Sequence, residues 1–140
     1  MKVANRKLAT DHWISSTAGA KYAIKFPNLS PRDFLAHARG LNRSRATLLF
    51  RLTTGHVQLR QHLFRLQLVD SPLCEQCGRE PESVAHFLLR CPRYDAQRTE
   101  HLSIRGADFL LPRFLLHAPI ALGPLFDFIK DTGRFADLVR

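Results

Sequence analysis

The 140-residue chain has little cysteine (three), methionine (one), tryptophan (one) and tyrosine (two), and its first half has little acid. Each shortage excludes something. No apolar run approaches the roughly 18 residues that a membrane span needs, so a membrane is not an expected partner. The N-terminus lacks the apolar core and small-residue cleavage site of a secretory signal. Three cysteines cannot all pair within one chain, which argues against a secreted disulfide scaffold. The expectation is a reduced intracellular compartment, nuclear or cytoplasmic. The sequence contains no Gly-rich phosphate loop, nucleophile elbow or paired-carboxylate motif. Strict period-2 alternation and internal repeats are also missing, which leaves little or no β-sheet to expect.

What is present is globular and basic. Hydrophobic residues make up 45% and charged residues 24%, the proportions of a chain that buries a core rather than stays disordered. The formal net charge is +9. Residues 1–69 hold 12 basic and 2 acidic residues, whereas residues 70–140 hold 9 basic and 10 acidic, so the whole excess lies in the first half. Sixteen of the 21 basic residues are arginine, which binds phosphate bidentately and stacks on bases. Arg39, Arg43, Arg45, Arg51, Arg60 and Arg65 are the candidate contacts to RNA or DNA. The alternative is an ordinary solvated surface.

The hydrophobic pattern is mainly helical. A helix is expected over 2–15, a loop or arm over 16–29, and a helix from Ser30-Pro31 to about Arg39. Asn42 caps the next helix and Gly55 stops it. Leu59, Leu63 and Leu66 then recur at helical spacing, and 70–82 is rich in turn formers. Short helices follow near 83–89 and 94–103. The apolar segments 109–116 and 120–129 close the chain, the second with a stripe of Leu122, Leu125, Phe126 and Ile129.

All three cysteines fall within 18 residues, and His86 lies among them in the order C-x2-C-x8-H-x4-C. Zinc takes four ligands in a tetrahedron, and thiolate and imidazole suit it. Cys74 and Cys77 can approach one ion from a tight turn, with Gly78 following to fold the backbone back. His86 and Cys91 stand five apart, roughly 140° around a continuous α-helix, and would not share a face. Pro92 pushes Cys91 out of helical geometry, so the helix is expected to end before it and turn the thiol back. One structural Zn2+ held by Cys74, Cys77, His86 and Cys91 is the expectation. A redox C-x-x-C lacks a βαβ context, a catalytic cysteine would leave the others without a role, and the third alternative is ordinary buried cysteines that happen to cluster. Four protein ligands close the site to water, so no catalytic residue is expected. The remaining histidines are read as surface or half-buried residues, with His56 capping or packing at the helix break.

These residues carry a resemblance. Leu52-Thr53-Thr54-Gly55-His56, Leu59, His62-Leu63 and Asp70-Ser71-Pro72-Leu73-Cys74-Glu75-Gln76-Cys77-Gly78 form one signature. It continues through Glu82, Val84, His86-Phe87-Leu88-Leu89, Cys91-Pro92-Arg93-Tyr94 and Arg98. It resembles the zinc-binding C-terminal region of non-LTR (LINE-like) retrotransposon reverse transcriptase polyproteins of fungal type. The likeness covers 48–98 most fully, extends more thinly to 125–135 and is faintest over 1–40. The family's L-R-T-G-H has Thr53 in place of its arginine. Phe135-Ala136-Asp137-Leu138 imitates the start of a polymerase F-A-D-D motif, but Leu138 replaces the second aspartate, and the match is read as coincidence.

The expected object is a small, mainly α-helical domain built around a CCHC zinc knuckle. Its expected parts are a basic helical or extended arm (1–40), a zinc-binding helical domain (41–104) and an apolar helical C-terminal segment (105–140). The resemblance implies a non-catalytic nucleic-acid-binding module whose partners are RNA or DNA and the upstream reverse transcriptase and ribonuclease H domains. A protein-docking module with a purely structural zinc is the alternative.

Overall fold

A computed structural model describes residues 36–139. The helix expected over 2–15, the loop over 16–29 and the Ser30-Pro31 helix start lie outside the described residues. Residues from His37 onward form one compact unit, which takes in both the cysteine-bearing stretch and the apolar C-terminal stretch.

The fold is mainly α-helical. Among the described residues, the sole β pairing is an isolated antiparallel bridge between Leu73 and Pro81. Helix α1 (Arg43–Thr54) begins and ends by local chemistry. The Asn42 side chain accepts the Arg45 N–H at 2.9 Å, and Gly55 ends the helix in the left-handed region at φ 79°. Helix α2 (Arg60–Arg65) follows, then the turn-rich stretch over 70–82. A π-turn (His86–Arg90) and a 3-10 turn (Pro92–Tyr94) lead into α3 (Asp95–His101). Two further 3-10 turns precede α4 (Pro112–His117) and α5 (Pro119–Asp131).

The core gathers Leu48, Leu49 and Leu52 of α1, Leu102 just after α3, Leu115 and Leu116 of α4, and Leu125, Phe126, Phe128 and Ile129 of α5. Helix α5 packs against α3 and α4, and α4 reaches α1. The stripe expected on α5 is buried, Leu122 included. The leucine stripe expected on α2 is not. Leu59 is buried at the helix start, but Leu66 is 53% exposed, because α2 stops at Arg65 and Gln67 turns left-handed at φ 58°.

Candidate metal centre

Residues 72–82 fold into a tight loop held by its own backbone. The Cys74 N–H donates to the Glu80 carbonyl at 3.0 Å, and the Glu82 N–H to the Pro72 carbonyl at 2.9 Å. At the tip the Gly78 N–H donates to the Cys74 carbonyl at 2.7 Å, and Gly78 sits at φ 65°, where a side chain is disfavoured. The C-x-x-C pair therefore occupies a single turn.

The second pair comes from the segment that follows. Ser83 Oγ accepts the His86 N–H at 3.0 Å and starts the turn. The Cys91 N–H then donates to the His86 carbonyl at 2.8 Å, closing an i→i+5 turn. The wider turn brings Cys91 round to the side on which His86 lies. Cys91 itself is extended, at ψ 118°, as Pro92 requires. The helix ends before Cys91 as the sequence implies, and the π-turn supplies the return that an α-helix could not.

The four side chains meet. Cys74 Sγ is 3.9 Å from Cys91 Sγ, and Cys77 Sγ is 3.4 Å from His86 Nε2. All four ligand atoms lie within 4.8 Å of one another. Cys74, His86 and Cys91 are buried and Cys77 is half-buried. The sulfurs are free thiols, well beyond the roughly 2.05 Å of a disulfide. This is a three-cysteine, one-histidine cluster capable of coordinating a metal ion.

The cluster's surroundings shift its thiols in opposite directions. Burial, reinforced by the neighbouring Cys74 and Cys77, pushes the Cys91 thiol up to about 12. The Arg79 backbone N–H, followed by Cys74 and Cys91 as hydrogen-bond partners, pulls the Cys77 thiol down. A bound cation would offset the repulsion among three closely set thiolates and so would drive the protons off the thiols.

Sequence reasoning missed the groups that brace the cluster. Glu80 places Oε1 3.4 Å from His86 Nδ1, while its Oε2 accepts Arg90 Nε–H at 3.1 Å. The Nδ1 contact is an ion-pair distance rather than a formed hydrogen bond, and that buried nitrogen has no hydrogen-bond partner among the described residues. Arg90 holds the Glu80 carboxyl below its ordinary range, with a smaller contribution from His86. Arg98, only 5% exposed, donates to the Leu88 carbonyl at 2.9 Å and the Cys91 carbonyl at 2.8 Å, and pairs with Asp95. Buried Glu82 accepts the Arg60 N–H at 2.9 Å and pairs with Arg134 at 3.0 Å. Glu82 and Arg98 belong to the motif quoted above, but nothing in their spacing specifies these partners.

The six candidate arginines separate into two groups. Arg60 pairs with Glu75 and donates to the Ser71 carbonyl at 3.1 Å, which commits it to the cysteine loop. Arg45 is half-buried, with its guanidinium 5.2 Å from the Phe126 ring centre. Arg39, Arg43 and Arg65 are exposed and Arg51 half-exposed, and none of these four forms an ion pair among the described residues. On α1, Arg43 and Arg51 lie roughly 80° apart, while Arg45 turns roughly 200° from Arg43 toward the core.

His56, His62 and His101 have structural surroundings among the described residues. His56 packs edge-on against His62 at 5.3 Å, and His101 pairs with Asp131 at 3.3 Å. The His101–Asp131 pair lies beside Glu100 on the exposed side of α3 and α5. The Phe135 ring stands 5.7 Å from that of Phe87, which gives this part of the F-A-D-L stretch a packing role.

Comparison with family models, curated proteins and solved structures finds no match. The resemblance to the retrotransposon region rests on the motif residues. Among the described residues, no helix is long and apolar enough to cross a membrane.

Proposed function

We propose that the chain is a zinc-stabilised nucleic-acid-binding module, non-catalytic by itself, from the C-terminal region of a non-LTR retrotransposon reverse transcriptase. The observation that carries the zinc reading is the spacing of the four ligand atoms. A tetrahedral zinc with Zn–S about 2.3 Å and Zn–N about 2.0 Å sets its ligands about 3.5–3.8 Å apart. The S···S and S···N separations of 3.9 and 3.4 Å match that frame. Cys74, Cys77, His86 and Cys91 would hold the ion, and its role is to fasten the loop at 72–82 to the π-turn. The four donors fill the tetrahedron and leave no place for a reacting water.

Binding of RNA or DNA is supported by charge. The +9 excess lies entirely in residues 1–69, and Arg39, Arg43, Arg51 and Arg65 keep their guanidiniums uncommitted among the described residues. Such binding is mainly electrostatic and weakly sequence-specific, with each neutralised phosphate adding about 0.9 to the log–log salt slope on duplex and about 0.7 on single strands. The test combines metal analysis of the purified chain with nucleic-acid binding across a salt series. One zinc per chain and a steep slope are expected. Changing Arg39, Arg43 and Arg65 to Glu should weaken binding and flatten the slope, whereas the same change at the exposed Arg105 and Arg113 should do little. Equal losses in both variants, or no salt-dependent binding, would refute the nucleic-acid reading. A second reading, docking on a protein partner, is favoured by the exposure of Ile104 (71%), Leu110 (39%), Leu111 (42%) and Ile120 (72%). It requires that the arginine exchanges leave the partner bound.

A further inference from the structure

We propose that Glu80 is the positioning residue of the metal centre: it fixes the His86 imidazole with Nε2 facing the three sulfurs, and Arg90 holds it in place. The inference rests on the zinc reading given above and adds a residue that is not itself a ligand.

A neutral imidazole offers one nitrogen to a metal and carries its proton on the other. Which nitrogen does which is set by the partner of the second nitrogen. His86 is fully buried, so no solvent selects its tautomer. Its Nε2 faces Cys77 Sγ at 3.4 Å, on the cluster side. Its Nδ1 faces Glu80 Oε1 at 3.4 Å. A carboxylate accepts protons and does not donate them, so this partner favours the Nδ1–H form and leaves the Nε2 lone pair for the ion. A small movement of the carboxylate into line with the Nδ1–H bond turns the contact into a charge-assisted hydrogen bond.

Two contacts restrain Glu80. Its carbonyl accepts the Cys74 N–H at 3.0 Å, so its backbone belongs to the same loop as the first ligand. Its other carboxylate oxygen receives Arg90 Nε at 3.1 Å and lies 3.0 Å from Arg90 Nη2. Arg90 is the last residue of the π-turn that His86 begins. The chain Arg90–Glu80–His86 therefore links the two segments that supply the ligands, and it terminates on the one ligand whose orientation is not set by a thiolate.

A mere tether between loop and turn would predict that Glu80 and Arg90 matter equally. A positioning role predicts that they do not. Zinc affinity would be measured by competition with a chelator for the wild type, Glu80→Ala, Glu80→Gln and Arg90→Ala, with cobalt absorption reporting the ligand field of three sulfurs and one nitrogen. Glu80→Ala should lose about 10- to 100-fold in affinity, the range found when such supporting partners are removed. Glu80→Gln keeps an acceptor oxygen and should recover part of the loss, and Arg90→Ala should lose less than Glu80→Ala. In the zinc-loaded wild type the His86 Nδ1–H should be visible by proton NMR as a solvent-protected resonance, retained in Arg90→Ala and lost in Glu80→Ala. A double-mutant cycle isolates the route. In a His86→Cys background, which removes the imidazole but keeps four donors, Glu80→Ala should no longer weaken binding. The proposal is overturned if Glu80→Ala binds zinc as tightly as the wild type, or if it weakens the His86→Cys protein as much as the wild type. In either case one zinc per wild-type chain would leave the metal reading standing. A wild type that binds no zinc would remove both.

Discussion

The ion pair between Glu82 and Arg134 gives the sharpest stability test. Glu82 is 2% exposed, and its carboxylate has two partners, the Arg60 N–H at 2.9 Å and Arg134 Nη2 at 3.0 Å. Arg134 comes from the segment after α5, and its side chain is 26% exposed. In Arg134→Ala the carboxylate stays buried and keeps only the backbone donor. Breaking a fully buried pair costs about 3–5 kcal/mol, and breaking an exposed one about 1 kcal/mol or less. One partner here is buried and the other a quarter exposed, and one hydrogen bond survives, so the expected loss is about 2 kcal/mol. In a unit of this size about 1 kcal/mol shifts the melting temperature by roughly 4–8 °C. Denaturant and thermal unfolding would be followed at saturating zinc, so that ligand linkage is constant. Adding Glu82→Gln removes the stranded charge while leaving an acceptor for the Arg60 N–H. The double variant should therefore be more stable than Arg134→Ala alone, by about 1 kcal/mol. A single variant within about 0.5 kcal/mol of the wild type, or a double variant no better than the single, refutes the reasoning.

Three further outcomes are expected. Arg98→Leu should destabilise by about 2–4 kcal/mol in urea unfolding, because it strands the buried Leu88 and Cys91 carbonyls that Arg98 now satisfies. Phe128→Ala should cost about 3–5 kcal/mol, whereas Ile120→Ser, at a side chain 72% exposed, should stay within about 0.5 kcal/mol in the same assay. Burial lowers the pKa of His37 below its ordinary 6.5, more strongly than the nearby Leu116 backbone raises it, so the unfolded chain takes up that proton first. The His37 contribution is complete above about pH 6.5 and is lost as pH falls from there through the folded value. Urea midpoints from pH 7.5 to 5.5 should therefore fall less in His37→Gln than in the wild type, and parallel slopes would refute the assignment.

What the sequence disclosed was what local chemistry controls. Asn42 and Gly55 bound α1 because a side-chain acceptor and a left-handed φ act within one turn. The clustering of Cys74, Cys77, His86 and Cys91 was legible because three thiols and an imidazole at knuckle spacing have few other uses, and because Pro92 forces Cys91 out of the helix. The leucine period failed past Leu63, since nothing in the apolar pattern marks Gln67 as the residue that turns left-handed. The π-turn was hidden for a similar reason: it is one residue wider than an α-turn, and no residue preference announces it. The contacts of Glu80 with His86, of Arg98 with the Leu88 and Cys91 carbonyls and of Arg134 with Glu82 span 6 to 52 residues, and they are set by how separate segments pack.

The π-turn also decides how the molecule comes apart. His86, Phe87 and Leu88 are consecutive, and each is fully buried. His86 points at the sulfurs, while Phe87 meets Tyr94, Phe128 and Phe135. The first residue of this turn belongs to the three-cysteine, one-histidine cluster and the second is the hub of the aromatic core, with no flexible spacer between them. If the cluster holds zinc as proposed, release of the ion and loss of the core should occur together. Heating the zinc-loaded chain should give a single cooperative heat-absorption peak for residues 37–139, moving to lower temperature as zinc is withdrawn, rather than an early peak for the cysteine loop followed by a later one for the helices.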